Sequence, residues 1–214
     1  LNPVAYLTVN GASASSGAVL FHANQFGNTS IVGGKGHLTV FDNNNSNVYY
    51  TTAGGNTTGG AEFHGAGGGS MTVNASASQS NDVFWQSSVA GNNTYYIGGS
   101  GNDTWGAAAG NATFVGGAGS NQFHLWASVT GTATAAGGTH ITIQNWNAND
   151  IIFMDGYATK DSALQTIDAS YLENHASGNA QTGFTVTLSD NTTVTFTNLQ
   201  AIKDLDGKIG YFNN

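Results

Sequence analysis

Cysteine is absent from this 214-residue chain, and so is arginine; proline occurs once and charged residues make up only 7%. Without cysteine there is no disulfide framework, no thiolate nucleophile and no cysteine-ligated zinc. Four lysines (Lys35, Lys160, Lys203, Lys208) stand against 12 Asp and Glu, for a formal net charge of −8. A nucleic-acid binder needs a basic surface to displace counterions, and a peripheral membrane protein needs one to meet anionic lipid. The sequence excludes both. No run approaches the roughly 18 consecutive apolar residues of a membrane-spanning helix. Disorder is also disfavoured, because it combines low hydrophobicity with high charge. An acidic, cysteine-free, lysine-poor chain suits export by a bacterium to the medium or the cell surface. It opens on Leu1 rather than methionine, and is read as a fragment or a processed product.

The polar half consists of Asn, Thr, Ser and 31 glycines, with 11% aromatics, a mix that suits short pleated strands joined by tight turns. Internal repetition is present. Tyr96, Trp105, Phe114 and Phe123 follow one another at nine-residue intervals. Gly98-Gly99 returns as Gly116-Gly117, each time after a β-branched residue, Ile97 or Val115. Looser triplets (Val48-Tyr49-Tyr50, Glu62-Phe63-His64, Met71-Thr72-Val73, Val83-Phe84-Trp85) carry the pattern upstream. Nine residues make one strand and one turn, and 18 make one circuit of a flattened coil. One apolar residue per strand then points inward and its neighbours outward. Residues 29–126 predict about five rungs stacked at roughly 4.7–4.9 Å.

Two segments carry a family resemblance: Gly98-Gly99-Ser100-Gly101-Asn102-Asp103-Thr104-Trp105 and Gly116-Gly117-Ala118-Gly119-Ser120-Asn121-Gln122-Phe123. They resemble the glycine-rich nonapeptide of repeats-in-toxin (hemolysin-type) proteins, and the likeness spans roughly residues 94–200. It implies an all-β, parallel β-roll or β-solenoid over 1–126, then a β-rich C-terminal cap over 127–214 with hairpins and one short helix. It also implies Ca²⁺ in the turns, held by Asp103, the Asn121 amide oxygen and the carbonyls of Gly99, Gly101, Gly117 and Gly119. With one carboxylate in the set, the implied affinity is weak, about 10⁻⁴–10⁻³ M. The chain departs from the family in carrying 25 Asn against 10 Asp. Within the cap, Thr159–His175 has helical spacing, and Phe184–Leu188 and Val194–Thr197 flank the turn Ser189-Asp190-Asn191-Thr192 as a hairpin.

Other residues are candidates for chemistry. Asp82, in Asn81-Asp82-Val83-Phe84, echoes Asp103 without the glycines. His22, His37, His64, His124, His140 and His175 form no metal-binding spacing. No Gly-x-Ser-x-Gly elbow accompanies the serines. Gly33-Gly34-Lys35-Gly36 lacks a P-loop ending and reads as a turn. Trp85, Trp105, Trp126 and Trp146 could form a sugar platform, though Trp105 occupies an inward slot. The reading favoured by these features is a non-catalytic, extracellular structural or adhesive module of a bacterial surface, matrix or filament protein. Self-association, and contact with a cell-surface or matrix polysaccharide, are the partners it implies. The alternatives are a type I secretion and calcium-assisted folding module of a larger exported enzyme or toxin, and a polysaccharide-active solenoid enzyme.

Overall fold

The structure is a computed structural model that describes residues 6–23, 27–42, 46–53, 60–65, 68–87, 89, 92–126, 139–155, 169–188 and 190–210. Up to β14, strands numbered oddly and evenly along the chain fall into two different sheets. The first holds β1 (Tyr6–Asn10), β3 (Gly27–Gly33), β5 (Ser46–Thr52), β7 (Met71–Asn74), β9 (Asn93–Ile97), β11 (Asn111–Val115), β13 (His140–Gln144) and β17 (Thr193–Phe196), in that spatial order. The second holds β2 (Ala18–His22), β4 (His37–Phe41), β6 (Ala61–His64), β8 (Val83–Trp85), β10 (Thr104–Ala107), β12 (Gln122–Trp126), β14 (Ile151–Asp155) and β18 (Ile209–Gly210). All of these neighbours pair in parallel. A chain that alternates between two parallel sheets is a coil, and β3 to β12 make the five circuits expected between residues 29 and 126.

Strand pairing explains why the repeat is visible in only part of the sequence. Asn93 pairs with Asn111 and Thr104 with Gln122, each 18 residues apart. Upstream, Gly27 pairs with Ser46 and Met71 with Thr94, so those circuits are longer. The extra residues fall between the paired strands, where they disturb the spacing but not the ladder. Beyond residue 126 the ladders continue, His140 pairing with Asn111 and Ile151 with Gln122.

The core lies between the sheets as columns of equivalent side chains. In the second sheet Val40, Phe63, Phe84, Trp105, Phe123 and Ile152 follow one another from rung to rung. Opposite them run Ile31, Tyr50, Val73, Tyr96, Phe114 and Ile143. Tyr96, Trp105, Phe114 and Phe123 are all fully buried, as the nine-residue phase requires. Four rings stack nearly face to face: Phe63 on Phe84 at 5.4 Å, Phe84 on Trp105 at 5.3 Å and Trp105 on Phe123 at 4.8 Å.

The two ends differ. At the C-terminal end β17 turns into an antiparallel pair with β16 (Gly183–Thr187), which pairs in turn with β15 (Ala176–Asn179). The hairpin expected around Asp190 and Asn191 is therefore present, and Asn191 takes the left-handed conformation its tight turn needs (φ 66°). The helix α1 (Ala169–His175) covers part of the expected helical stretch; residues 156–168 lie outside the described residues. Leu172, Val186, Leu188, Leu199, Ile202 and Leu205 are buried in this cap. At the other end β1 and β2 are the outermost strands of their sheets.

Candidate metal centre

The residue immediately before each second-sheet strand occupies one column along the coil. Register places Asp82, Asp103, Asn121 and Asp150 in it, on four successive rungs. All four are at most 1% exposed. Their side chains are linked to the backbone in one direction. Asp82 Oδ1 accepts the Ala61 N–H at 2.8 Å, Asp103 Oδ1 that of Asp82 at 2.8 Å, Asn121 Oδ1 that of Asp103 at 3.1 Å, and Asp150 Oδ1 that of Asn121 at 3.0 Å. One residue earlier in each turn a second column runs the opposite way. Asn81 Oδ1 accepts the Asn102 N–H, and Asn102 Oδ1 the Ser120 N–H, both at 2.8 Å. Successive turns thus clamp each other reciprocally, and N–H groups that would otherwise be buried without partners are satisfied.

Three more atoms of the predicted calcium set are engaged: Asp103 Oδ2 and the Gly117 and Gly119 carbonyls. Asp103 Oδ2 accepts the Gly99 N–H at 2.9 Å. The Gly117 carbonyl accepts from Asn121 Nδ2 at 3.4 Å and from Asn147 Nδ2 at 3.5 Å, and the Gly119 carbonyl accepts from Asn147 Nδ2 at 3.2 Å. Gly99 and Gly101 lie directly beneath Gly117 and Gly119, so close that a methyl group on either upper glycine would overlap the carbonyl oxygen below it. Of these four glycines only Gly119 has a left-handed backbone (φ 93°). The others are required by close approach of successive turns, not by a turn conformation.

Electrostatics follow from the burial. Desolvation raises the Asp103 carboxyl to about 7, and the charge of Asp82 pushes the same way, while the N–H groups of Asp82 and Gly99 pull it down. Asp82 and Asp150 are raised by burial as well. Ca²⁺ takes six to eight oxygens with lone pairs turned toward it, preferably with several carboxylate charges among them. Here Gly99, Gly101, Asp103, Gly117, Gly119 and Asn121 do come together, as the 18-residue separation requires. Yet both Asp103 oxygens and the Asn121 oxygen face N–H donors, and amide NH₂ groups occupy the side of the turn that the Gly117 and Gly119 carbonyls face. As arranged, the Asp103 and Asn121 oxygens serve the backbone of neighbouring turns rather than a cation.

Asp82 joins this same column, so its resemblance to Asp103 reflects equivalent register. Asp150 is a member that the sequence reading did not single out. Its signal is present: Asn81-Asp82-Val83-Phe84, Asn102-Asp103-Thr104-Trp105, Ser120-Asn121-Gln122-Phe123 and Asn149-Asp150-Ile151-Ile152 share one pattern, a polar residue, an Asx, one outward residue, then a core residue.

Elsewhere the candidates disperse. Among the described residues no three His, Asp or Glu side chains cluster as a metal site. His22 and His64 stack on either side of Phe41 on the outer face of the second sheet, and His124 stacks on Trp126 and Phe153. Glu62 on that face lies 2.9 Å from His64. Trp85 and Trp126 tilt against each other over Gly106. The rings of this outer stripe turn their faces toward one another, which leaves edges for solvent, whereas a sugar platform presents faces. Trp105 and Trp146 are buried. Gly33 ends β3 and Lys35 donates its N–H to the Ala14 carbonyl of the turn below, so this glycine-rich segment is a packed turn.

Compared with protein-family models, with curated proteins and with solved structures, the chain matches none of them. What stands is a parallel β-solenoid compatible with a β-roll.

Proposed function

We propose that this chain is a non-catalytic structural and adhesive module, exported by a bacterium and working by self-association at a surface, in a matrix or in a filament. The observation that carries this reading is the use of its buried acids. Asp82, Asp103 and Asp150 are the kind of desolvated carboxylates that hydrolytic enzymes use for acid–base chemistry. Here each accepts backbone N–H groups that tie one rung to the next. At the cap, a surface cleft of about 310 Å³ includes Asp204 and Lys208. Asp204 Oδ2 there accepts the N–H groups of Gln200 and Ala201, and Lys208 Nζ donates to the Ala148 carbonyl.

The outer face of the first sheet supports the same reading. Asn47 donates its amide to Asn28 at 3.0 Å and Asn111 to Asn93 at 3.1 Å, ladders of the sort found in stacked-strand assemblies. The antiparallel closure at one end favours a second reading, a C-terminal secretion and folding module of a larger exported protein, because such a module needs only one sealed end.

Light scattering across a concentration series, with and without Ca²⁺, separates the two. A structural module associates with rising concentration regardless of the ion, while an export module stays monomeric.

A further inference from the structure

Two tyrosines stand on the outer face of the first sheet, two rungs apart in one column. Tyr49 pairs with Thr72 and Thr72 with Tyr95, so two steps of the coil separate them by roughly 9.4–9.8 Å. They are 50% and 40% exposed. Among the described residues neither stacks on another ring, unlike the stripe of the second sheet. Beside Tyr95 a surface cleft of about 270 Å³ is lined by Ser70, Thr72, Asn93, Asn111 and Thr113. It spans β7, β9 and β11, with β5 and β13 on either side. Asn111 donates an amide N–H to Asn93 Oδ1 at 3.1 Å. Asn93 Nδ2 is left as a donor, Asn111 Oδ1 as an acceptor, and the hydroxyls of Ser70, Thr72, Tyr95 and Thr113 as both. None of these has a hydrogen-bond partner among the described residues. No Asp, Glu, Lys or Arg occurs in any strand of this sheet, in a chain of net charge −8.

These facts select a class of ligand. An ionic polymer would find no counter-charge on this sheet, so the ligand is neutral. Tyrosine offers a rigid, amphipathic surface on which the C–H face of a sugar ring packs, while a few convergent amide and hydroxyl groups fix its orientation. In an extended, β-linked glycan of the cellulose type every second ring returns to the same orientation, and that repeat is comparable with two rungs of the coil. A second copy of this chain fits the face less well. The centre of a protein interface is more apolar than its rim, whereas here Thr72 lies between the tyrosines and polar side chains line the cleft.

We propose that this face binds a neutral, extended, β-linked polysaccharide. Tyr49 and Tyr95 lie under alternate sugar rings, and the cleft beside Tyr95 holds one ring by its hydroxyls. The proposal rests on the adhesive half of the reading above, to which it gives a ligand, and is independent of self-association.

The test is retardation of the 214-residue chain in native gels cast with hydroxyethylcellulose, with anionic polygalacturonate or with α-linked, coiled starch. Calorimetric titration with cellobiose and cellohexaose gives affinities. Retardation by hydroxyethylcellulose alone is expected, with cellohexaose bound more tightly than cellobiose. Tyr95→Ala should weaken cellohexaose binding about tenfold, as loss of a tyrosine hot spot does, and Tyr49→Ala should erase the advantage of the longer chain. Tyr95→Phe keeps the ring and should keep most of the binding, which separates lost contact from misfolding. Glu62→Gln, on the outer face of the second sheet, should change nothing. Retardation that survives both alanine substitutions would overturn this site and leave the adhesive reading standing. Retardation by polygalacturonate or starch in place of hydroxyethylcellulose would overturn the assigned ligand. No retardation by any of the three would overturn the site and the adhesive reading together, self-association being read separately by scattering. Scattering that Tyr95→Ala abolishes, with no retardation, would give the face to a second copy instead.

Discussion

The backbone N–H of Asp103 donates to Oδ1 of Asn121 at 3.1 Å, across 18 residues of chain and one step of the coil. Both residues are fully buried. This bond is one link of a column in which side-chain oxygens take over a buried N–H from the preceding turn. Removing the acceptor leaves that N–H with no water to turn to. Asn121→Ala is expected to destabilise the fold by about 1–3 kcal/mol, the cost of an unsatisfied buried donor, as read by denaturant unfolding. Ser120→Ala, which leaves the bond from the Ser120 N–H to Asn102 in place, is expected to stay within about 0.5 kcal/mol.

The buried carboxyl of Asp103 makes stability depend on pH in an unusual direction. Its folded pKa, about 7, lies above the ordinary aspartate value of about 3.9. Between these values the unfolded chain has lost the proton and the folded one keeps it. Stability is therefore fully present below about pH 4, falls as pH rises, and levels off above about pH 7. The full swing is at most on the order of 4 kcal/mol. Melting temperatures from pH 4 to 8 should decline across that window. Asp103→Asn keeps the Oδ1 acceptor while giving up the bond from Gly99, so it should be less stable at pH 4 and show a flatter profile. A wild-type profile that rises through this range would mean the carboxylate is held ionised by its two N–H partners.

Trp105 tests the ring column. It stacks between Phe84 and Phe123 with interplanar angles of 11° and 9°, and its indole N–H is buried without a hydrogen-bond partner. Trp105→Ala should cost about 3–5 kcal/mol as a large-to-small core change. Trp105→Phe keeps a stacked ring and removes the unsatisfied donor, so it should cost far less than alanine does. An alanine cost below about 1 kcal/mol would show that the nine-residue phase is wrong.

The inward phase of Tyr96, Trp105, Phe114 and Phe123 was legible in the sequence because the circuits there contain no extra residues. Upstream, the ladder is just as regular in space, but circuits of 19 residues (Gly27 to Ser46) and of 23 (Val48 to Met71, Met71 to Thr94) blur the spacing. The meeting of Asp103 with Asn121 was legible for the same reason as the ring column. What composition could not convey is which partner the oxygens meet, since a glycine-rich turn with one Asp can face an ion or an N–H group. That choice depends on Asn147, which brings its NH₂ to the Gly117 and Gly119 carbonyls from 28 to 30 residues away. Asp150 was hidden likewise, its rung lying 29 residues from that of Asn121.

Calcium provides the sharpest test of this column. A folded-state site of 10⁻⁴–10⁻³ M affinity would gain roughly 1.5–3 kcal/mol in 10 mM Ca²⁺. For a chain of this length that corresponds to about 3–12 °C in melting temperature. The geometry argues for much less. Admitting the ion requires breaking the bonds from Asp82 and Gly99 to Asp103 and displacing the Asn147 amide. Each change opposes the gain from coordination. At pH 7.5, wild type should therefore melt within about 1 °C in chelator and in 10 mM Ca²⁺, and Asp103→Ala should melt lower by the same margin in both. A calcium-dependent rise in wild type that disappears in Asp103→Ala would show that the turns reopen around the ion and that the hydrogen-bonded column is only their calcium-free state.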